Sequence, residues 1–172
     1  MADTALADSG FYSGYPNQIT GWAAKHFEPR EFASNGNGRV HVRKEMVAAL
    51  DRVRRAVGHP IRITSAYRDP AHNARVGGAR FSRHVVGDAV DIDIDGLSSA
   101  ARYRLMWHLL AEGFTSFGSY AGSSFIHADM RPRARVWRHG GGMHPAWFRK
   151  ALADWGWVRD RGPTRRPRAI NR

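Results

Sequence analysis

The most informative stretch of the chain is SRHVVGDAVDID, residues 82–93. From its second half onward, three apolar residues alternate with three aspartates: Val90, Ile92 and Ile94 with Asp91, Asp93 and Asp95. Side chains on a strand point alternately to opposite faces, so this period of two predicts a strand with one apolar and one polar face.

Periodic segments on both sides of this strand predict an α+β fold. Apolar residues recur at helical spacing over residues 44–57, and Gly58 is placed to end that helix. Further helices are predicted near 28–32, over 98–110 and near 145–155, with strands at 61–65, 115–120 and 125–130. Residues 34–38 and 69–83 are predicted as loops, the second with one helical turn. The expected architecture is a small antiparallel β-sheet flanked by helices.

Three residues with metal-ligating side chains lie in and around the predicted strands. His84 comes seven residues before Asp91, and His127 follows 36 residues after it, in the strand segment FIHADMR at 125–131. Two imidazoles and one carboxylate form a zinc-binding set that leaves a fourth tetrahedral position for water. Neighbouring strands would bring Asp91 and His127 together, with His84 arriving from a loop. The spacing alone is equally compatible with a surface histidine, a solvated aspartate and a half-buried histidine.

The run of aspartates also imitates the start of a calcium-binding EF-hand loop. Asp91, Asp93 and Asp95 followed by Gly96 have the spacing of its first positions. The twelfth position of that loop must be a bidentate Glu, and here it is Arg102, which repels the ion. The alternation with apolar residues is better explained by a strand, so calcium binding is rejected.

Composition excludes several classes of protein. The chain has 172 residues, 42% of them apolar, which suits one folded domain with a hydrophobic core. It contains no cysteine, which excludes a disulfide scaffold, a thiolate zinc finger and a cysteine nucleophile. No stretch approaches the roughly 20 apolar residues of a membrane span. Residues 1–18 lack the basic and apolar regions of a classical signal peptide, so synthesis in the cytoplasm is expected.

Positive charge is concentrated at the carboxyl-terminal end. Residues 1–130 carry 15 Lys and Arg against 13 Asp and Glu, whereas residues 131–172 carry 12 against two, a net charge of +10. Such a segment either contacts a polyanion such as the cell envelope or is simply a solvated tail. None of the spacings typical of sequence-specific DNA-binding motifs is present, so no sequence-specific binding to nucleic acid is expected.

The sequence resembles peptidase family M15. The pattern SxHxxGxAxD is formed by Ser82, His84, Gly87, Ala89 and Asp91, and a later His127 completes it. The resemblance runs over residues 26–137 and includes HFEPREFASNG, PIRITSAYRDPAHNARVGG and FIHADMR. This family comprises zinc D-Ala-D-Ala carboxypeptidases and peptidoglycan endopeptidases, phage endolysins among them, with a fold shared by hedgehog signalling domains. The resemblance implies that fold and a single Zn²⁺ ion held by His84, Asp91 and His127.

The resemblance also implies a role for an arginine. Ser65, Ala66, Tyr67 and Arg68 are similar to the family's SGYR segment, with Ala66 in place of the usual glycine. The family's arginine reaches the active site, so Arg68 is expected to be catalytic, binding substrate or stabilising the oxyanion. A guanidinium suits both roles because it offers a planar fork of donors and keeps its charge.

The sequence departs from the family at the general base. Many M15 enzymes carry an Asp or Glu three residues before the last zinc-binding histidine, and some carry a histidine two residues before it. Here those positions are Ser124 and Phe125, and neither can accept the proton. The sequence instead resembles a branch of the family with His-x-Asp, formed by His127 and Asp129.

The identity of the base therefore stays open among a few residues. Asp129 is expected on the same strand face as His127, where it would either hydrogen-bond the imidazole, the role favoured here, or act as the base itself. Asp93, His139 and His144 are further candidates, whereas Asp88 is given no role.

The leading hypothesis is a zinc peptidase that cleaves peptidoglycan stem peptides or cross-bridges. The alternatives are a catalytically inactive, zinc-stabilised cell-wall-binding module and a nucleic-acid-binding accessory protein. The expected organisation is an irregular arm over residues 1–20, a monomeric zinc peptidase domain over 21–158 and a basic, disordered tail over 159–172. Action at the cell wall without a classical signal peptide would fit a phage or prophage endolysin.

Overall fold

The computed structural model describes residues 10–159 and 161–164. The strands are β1 (Phe11–Gly14), β2 (Val40–Arg43), β3 (Ile63–Ser65), β4 (Ala89–Asp93), β5 (Ser116–Tyr120), β6 (Phe125–Asp129), β7 (Val136–His139), β8 (Trp157–Val158) and β9 (Gly162–Pro163). The α-helices are α1 (Lys44–Val57), α2 (Pro70–Arg75), α3 (Arg83–Val86), α4 (Ser99–Ala111) and α5 (Ala146–Asp154). Two short 3₁₀ helices span Pro16–Gln18 and Pro29–Phe32.

A five-stranded sheet in the order β3-β4-β6-β5-β7 forms the centre of the fold. Its strands pair antiparallel except β5 and β7, which run parallel. Two-stranded antiparallel pairs, β1 with β2 and β8 with β9, lie outside it. The predicted α+β class is confirmed, with a mostly antiparallel sheet.

The hydrophobic core lies on one face of this sheet. Alternate residues of the central strands are fully buried in it, namely Val90, Ile92, Phe117, Ile126 and Ala128. The apolar sides of α1, α4 and α5 complete the same cluster. Because side chains alternate along a strand, the intervening residues Asp91, Gly118 and His127 belong to the opposite face.

Three of the helices begin or end at residues that commonly cap helices. The α1 helix stops at Gly58, whose φ of 74° is the left-handed conformation that glycine adopts without strain. The side chain of Ser98 caps α4 by accepting a hydrogen bond from the backbone N–H of Ala101. Asp69 caps α2 in the same way through the N–H of His72. The helical turn expected within residues 69–83 is thus Pro70–Arg75.

The structure corrects three details of the predicted organisation. Residues 10–20 are not an irregular arm, because Phe11–Gly14 pairs with Val40–Arg43. Strand β7 was not expected, since its sequence VWRH does not alternate apolar with polar residues. It is a strand because it pairs with β5. Ordered structure also passes residue 158, because Gly162–Pro163 pairs with Trp157–Val158. Residues 1–9, and 165–172 of the expected tail, lie outside the described residues.

Within the part of the chain that the structure describes, no helix combines the length and apolar character needed to cross a membrane.

Candidate metal centre

One row of residues crosses the whole central sheet at the candidate centre. Paired positions on successive strands place its members side by side on the face opposite the core: Ser65, Asp91, His127, Gly118 and Trp137. Asp91 and His127 are direct cross-strand partners on β4 and β6. These neighbouring strands, β4 and β6, therefore present a carboxylate and an imidazole to the same point.

His84 reaches this row from the short helix α3. The side-chain oxygen of Ser82 caps that helix at the backbone N–H of His84, and Gly87 ends it with a φ of 83°. A Cβ at Gly87 would lie 2.2 Å from the backbone oxygen of His41, so only glycine fits this turn. The turn returns the chain directly into β4, which keeps His84 beside Asp91.

Three ligand atoms converge between these side chains. The Nε2 atom of His84 lies 3.0 Å from Nδ1 of His127 and 3.2 Å from Oδ1 of Asp91, and the last two atoms are 3.0 Å apart. Ligands bound at zinc distances in a tetrahedron stand about 3.3 Å from one another. All three residues are buried. The separations therefore fit one small cation bound by one atom from each residue.

The hydrogen bonds of the two imidazoles leave the converging nitrogens without protons. Nδ1 of His84 lies 2.6 Å from the backbone oxygen of Ala66, which can only accept, so this nitrogen carries the proton. Nε2 of His127 lies 3.0 Å from Oδ2 of Asp129 and donates to that carboxylate. Each neutral ring then directs a lone pair at the common point. Three acceptors facing one another without a proton are suited to a metal ion.

Burial and charge affect the two histidines differently. Burial lowers the pKa of His84 below its ordinary value and keeps the ring neutral. Burial also opposes protonation of His127, but its hydrogen bonds with Asp129 and Asp91 outweigh that effect and raise its pKa. With no ion bound, His127 therefore takes up a proton more readily than an ordinary histidine does.

Arg68 is bound to the carboxylate of Asp91. Its Nη2 donates to Oδ2 of Asp91 at 2.5 Å, and its Nε donates to the Ser65 hydroxyl at 2.8 Å. Oδ1 of Asp91 remains directed at the two histidines. Burial tends to raise the pKa of Asp91, but its close contacts with the two imidazoles favour the charged carboxylate and hold the pKa well below its usual range. Asp91 is consequently ionised, as a metal ligand must be.

The comparison with protein families agrees with this arrangement. The sequence matches the family described as Peptidase M15 over residues 25–129, more than half of the chain. The chain belongs to peptidase family M15. The converging residues and Arg68 all lie within the matched segment, whereas β7 lies beyond it. No curated protein matches the sequence significantly.

Asp129 of this M15 chain is turned away from the converging atoms. It is fully buried, and Oδ1 accepts from the backbone N–H of Arg131 at 3.1 Å and from its Nε at 2.7 Å. Oδ2 accepts from the Arg131 Nη2 and from Nε2 of His127. Burial tends to raise the pKa of Asp129, but these hydrogen bonds from His127 and Arg131 lower it. The geometry matches the expected contact with the imidazole.

Two other candidates for the base, Asp93 and His139, make contacts with residues other than the three converging ones. Asp93 pairs with Arg62 at 3.1 Å and accepts the backbone N–H of Asp95 at 2.9 Å. His139 is exposed at the end of β7, where its ring lies 6.1 Å from that of Tyr120.

His144 lies on the wrong face of the sheet. Its Nδ1 is 2.8 Å from the hydroxyl of Ser119, and its ring stacks on Phe148 of the core at 4.5 Å. Ser119 follows Gly118 and so points away from the candidate centre. His144 is therefore not placed to act as the base.

Asp88, to which the sequence assigns no role, stabilises the turn that carries His84. It is fully buried and accepts both Nε, at 2.7 Å, and Nη2 of Arg83. This ion pair joins the first residue of α3 to the residue just before β4, and so supports the geometry of the centre.

Two contacts at the centre could not be found from the sequence. The backbone oxygen of Ala66 has no side-chain signature, and Arg131 reads as one more residue of a basic segment. The contact of Trp137 with the sheet could have been anticipated from Gly118, because a glycine within a strand often marks close approach by another group.

Proposed function

We propose that this chain is a zinc-dependent peptidase that hydrolyses a peptide bond in peptidoglycan stem peptides or cross-bridges. The observation that carries the proposal is the convergence of three proton-free ligand atoms, on His84, Asp91 and His127, within 3.2 Å of one another. Membership of family M15 supports peptidase chemistry. A bound Zn²⁺ ion supplies Lewis acidity and makes water nucleophilic at neutral pH.

Arg68 is placed to act on the substrate. Two of its five N–H groups are used by Ser65 and Asp91, and the remaining ones are available to a substrate carboxylate or to developing negative charge. The side chain is held at both contacts, so little ordering is needed when substrate binds.

Asp129 acts as a positioning residue in this proposal. Its hydrogen bond fixes the proton of His127 on Nε2 and leaves Nδ1 for the ion. Because Arg131 and His127 occupy both of its oxygens, its contribution passes through the imidazole rather than through direct contact with substrate.

The site of action is proposed to be the cell wall, with an anionic envelope as the partner of the basic carboxyl-terminal region. The charge distribution supports this, since residues 131–172 carry a net charge of +10. We propose that the enzyme acts there as a monomer, in the manner of a phage or prophage endolysin.

Digestion of purified peptidoglycan tests the proposal. Intact zinc-loaded protein is compared with chelator-treated protein and with a His84→Ala variant, and soluble products are identified by mass spectrometry. New fragments are expected only from the intact protein, and their masses identify the cleaved bond. Folded, zinc-loaded protein that releases nothing from several wall types would contradict the proposal and favour the zinc-stabilised binding module.

A further inference from the structure

Strand β7 adds a wall to the candidate centre from outside the segment matched to family M15. Trp137 on β7 is paired with Gly118 on β5, and its indole lies across that glycine. A Cβ at position 118 would come within 2.6 Å of the indole. The absence of a side chain at Gly118 therefore allows Trp137 to lie flat on the row of the metal centre.

The indole of Trp137 borders a metal ligand. Its ring lies 5.0 Å from the imidazole of His127, with the two planes tilted by 52°. Trp137 itself is only half-buried, so one part of the ring shields His127 and another is open to a ligand. The ring is thus a boundary of the space above the ion-binding atoms.

Two guanidinium groups lie over the same indole. Cζ of Arg131 is 5.5 Å and Cζ of Arg135 is 5.8 Å from the ring centroid. Arg131 is neutralised by the buried carboxylate of Asp129. Arg135 is exposed, and among the described residues no carboxylate lies within 4.0 Å of its side chain. One of the two cations beside the centre therefore keeps an uncompensated charge.

We propose that Arg135 and Trp137 form a carboxylate-binding subsite that recognises an acidic residue of the substrate peptide. This proposal rests on the proposed function. A guanidinium stacked on an aromatic ring is held in place and presents its N–H groups to a carboxylate. Its unpaired charge favours a stem peptide with free carboxylates over the same peptide with those groups amidated.

The distance from the metal centre fixes which part of a peptide can reach this subsite. Strand β7 stands two strand spacings from β6, about 10 Å. An extended peptide advances about 3.3 Å per residue. On this scale we expect the recognised carboxylate within about three residues of the bond at the ion, on the side away from Arg68.

The test compares a synthetic stem peptide carrying free side-branch carboxylates with its amidated form. Binding to zinc-loaded protein is measured by calorimetry with the corresponding product peptides, and kcat/KM is measured for both substrates. Wild-type protein is expected to prefer the acidic form on the order of tenfold or more, and Arg135→Gln to lose that preference. Arg133→Gln is the matched control, because this exposed arginine lies on the same segment away from the indole.

A second variant perturbs the subsite without removing a charge. Gly118→Ala places a methyl group against the indole and is expected to lower the preference while the zinc content stays unchanged. Equal affinity of wild-type protein for both peptides, or equal effects of Arg135→Gln and Arg133→Gln, would overturn the subsite. Preferential binding of the acidic peptide without any cleavage would retain the subsite and reject the proposed peptidase.

Discussion

His84 and His127 offer different nitrogens to the same point, and the backbone around each explains why. The turn at α3 brings His84 with Nδ1 against the carbonyl of Ala66, which leaves Nε2 facing the centre. On β6, Asp129 lies two residues from His127 on the same strand face and holds Nε2, which leaves Nδ1 facing the centre. The partner of the other nitrogen selects the ligand atom in both cases.

Replacing Asp129 tests this selection directly. Asp129→Asn removes the charge that holds the proton on Nε2 of His127, so zinc affinity is expected to fall about 10–100-fold. Affinity is measured by competition with a chromophoric chelator, alongside a circular dichroism spectrum. Asp93→Asn is the control, because Asp93 pairs with Arg62 outside the centre and should leave affinity unchanged. An unchanged affinity in Asp129→Asn would show that the imidazole is oriented by other contacts.

Zinc affinity is expected to fall as the pH is lowered. The pKa of His127 is raised in the metal-free protein by Asp129 and Asp91 despite burial, so a proton competes with the ion at this ring. Metal binding releases that proton, and below the pKa of His127 the affinity should drop about tenfold per pH unit. The lowered pKa values of His84 and Asp91 delay competition at those ligands to more acidic pH.

The measurement is the same chelator competition across about pH 5 to 8. The wild-type curve should break at the pKa of His127, and Asp129→Asn should shift the break to lower pH because the carboxylate that raises it is gone. A flat curve over this range in wild-type protein is incompatible with a protonated His127 in the metal-free state.

At the level of elements, the site depends on one short turn between α3 and β4. Gly87 ends α3 at a φ of 83° with the backbone of His41 directly against it. Substitution here has two separate costs, a left-handed backbone for a residue with a Cβ and a steric clash.

Gly87→Ala is therefore expected to destabilise the fold by more than the cost of about 1–2 kcal/mol for left-handed alanine alone, and to weaken zinc binding by displacing His84. Thermal unfolding and zinc titration report the two effects. Gly96→Ala is the matched control: its φ is 67°, but a Cβ there meets nothing within 4 Å. Equal destabilisation by both substitutions would show that the steric clash with His41 makes no contribution to the loss of stability.

The elements that the sequence reveals are those with a strong local period. The helix at Lys44–Val57 and the alternation around Asp91 were predicted because burial of one face imposes 3.6- and 2-residue repeats. Strands β1 and β7 have no such repeat, and they exist through pairing with a distant partner. At the site, the motif indicated His84, Asp91 and His127, which the structure brings together. The base remained unassigned because the family's usual position is occupied by Ser124.

Over the whole molecule, a nearly balanced amino-terminal part is followed by a basic carboxyl-terminal part. Residues 1–130 have a net charge of +2 and residues 131–172 one of +10. Four arginines belong to residues 165–172, beyond the β8–β9 pair. Truncation after Thr164 thus removes a third of the basic residues in this part without removing any described strand.

This truncation is expected to lower retention on isolated cell walls while leaving the midpoint of thermal unfolding unchanged. Exposed charges act through electrostatics, so added salt should lower retention of the full-length protein in the same direction. Co-sedimentation with walls at several salt concentrations gives the measurement. Full retention of the truncated protein at low salt would show that the folded part alone binds the wall.

The direct pairing of Asp91 with His127 across β4 and β6 also makes the ion sensitive to strand alignment. If β6 slipped by one residue, His127 would exchange faces with Ala128 and enter the apolar core, and no ion could bind. Only the correctly registered sheet can bind the metal. Zinc would therefore shift the folding equilibrium towards chains with the correct strand alignment.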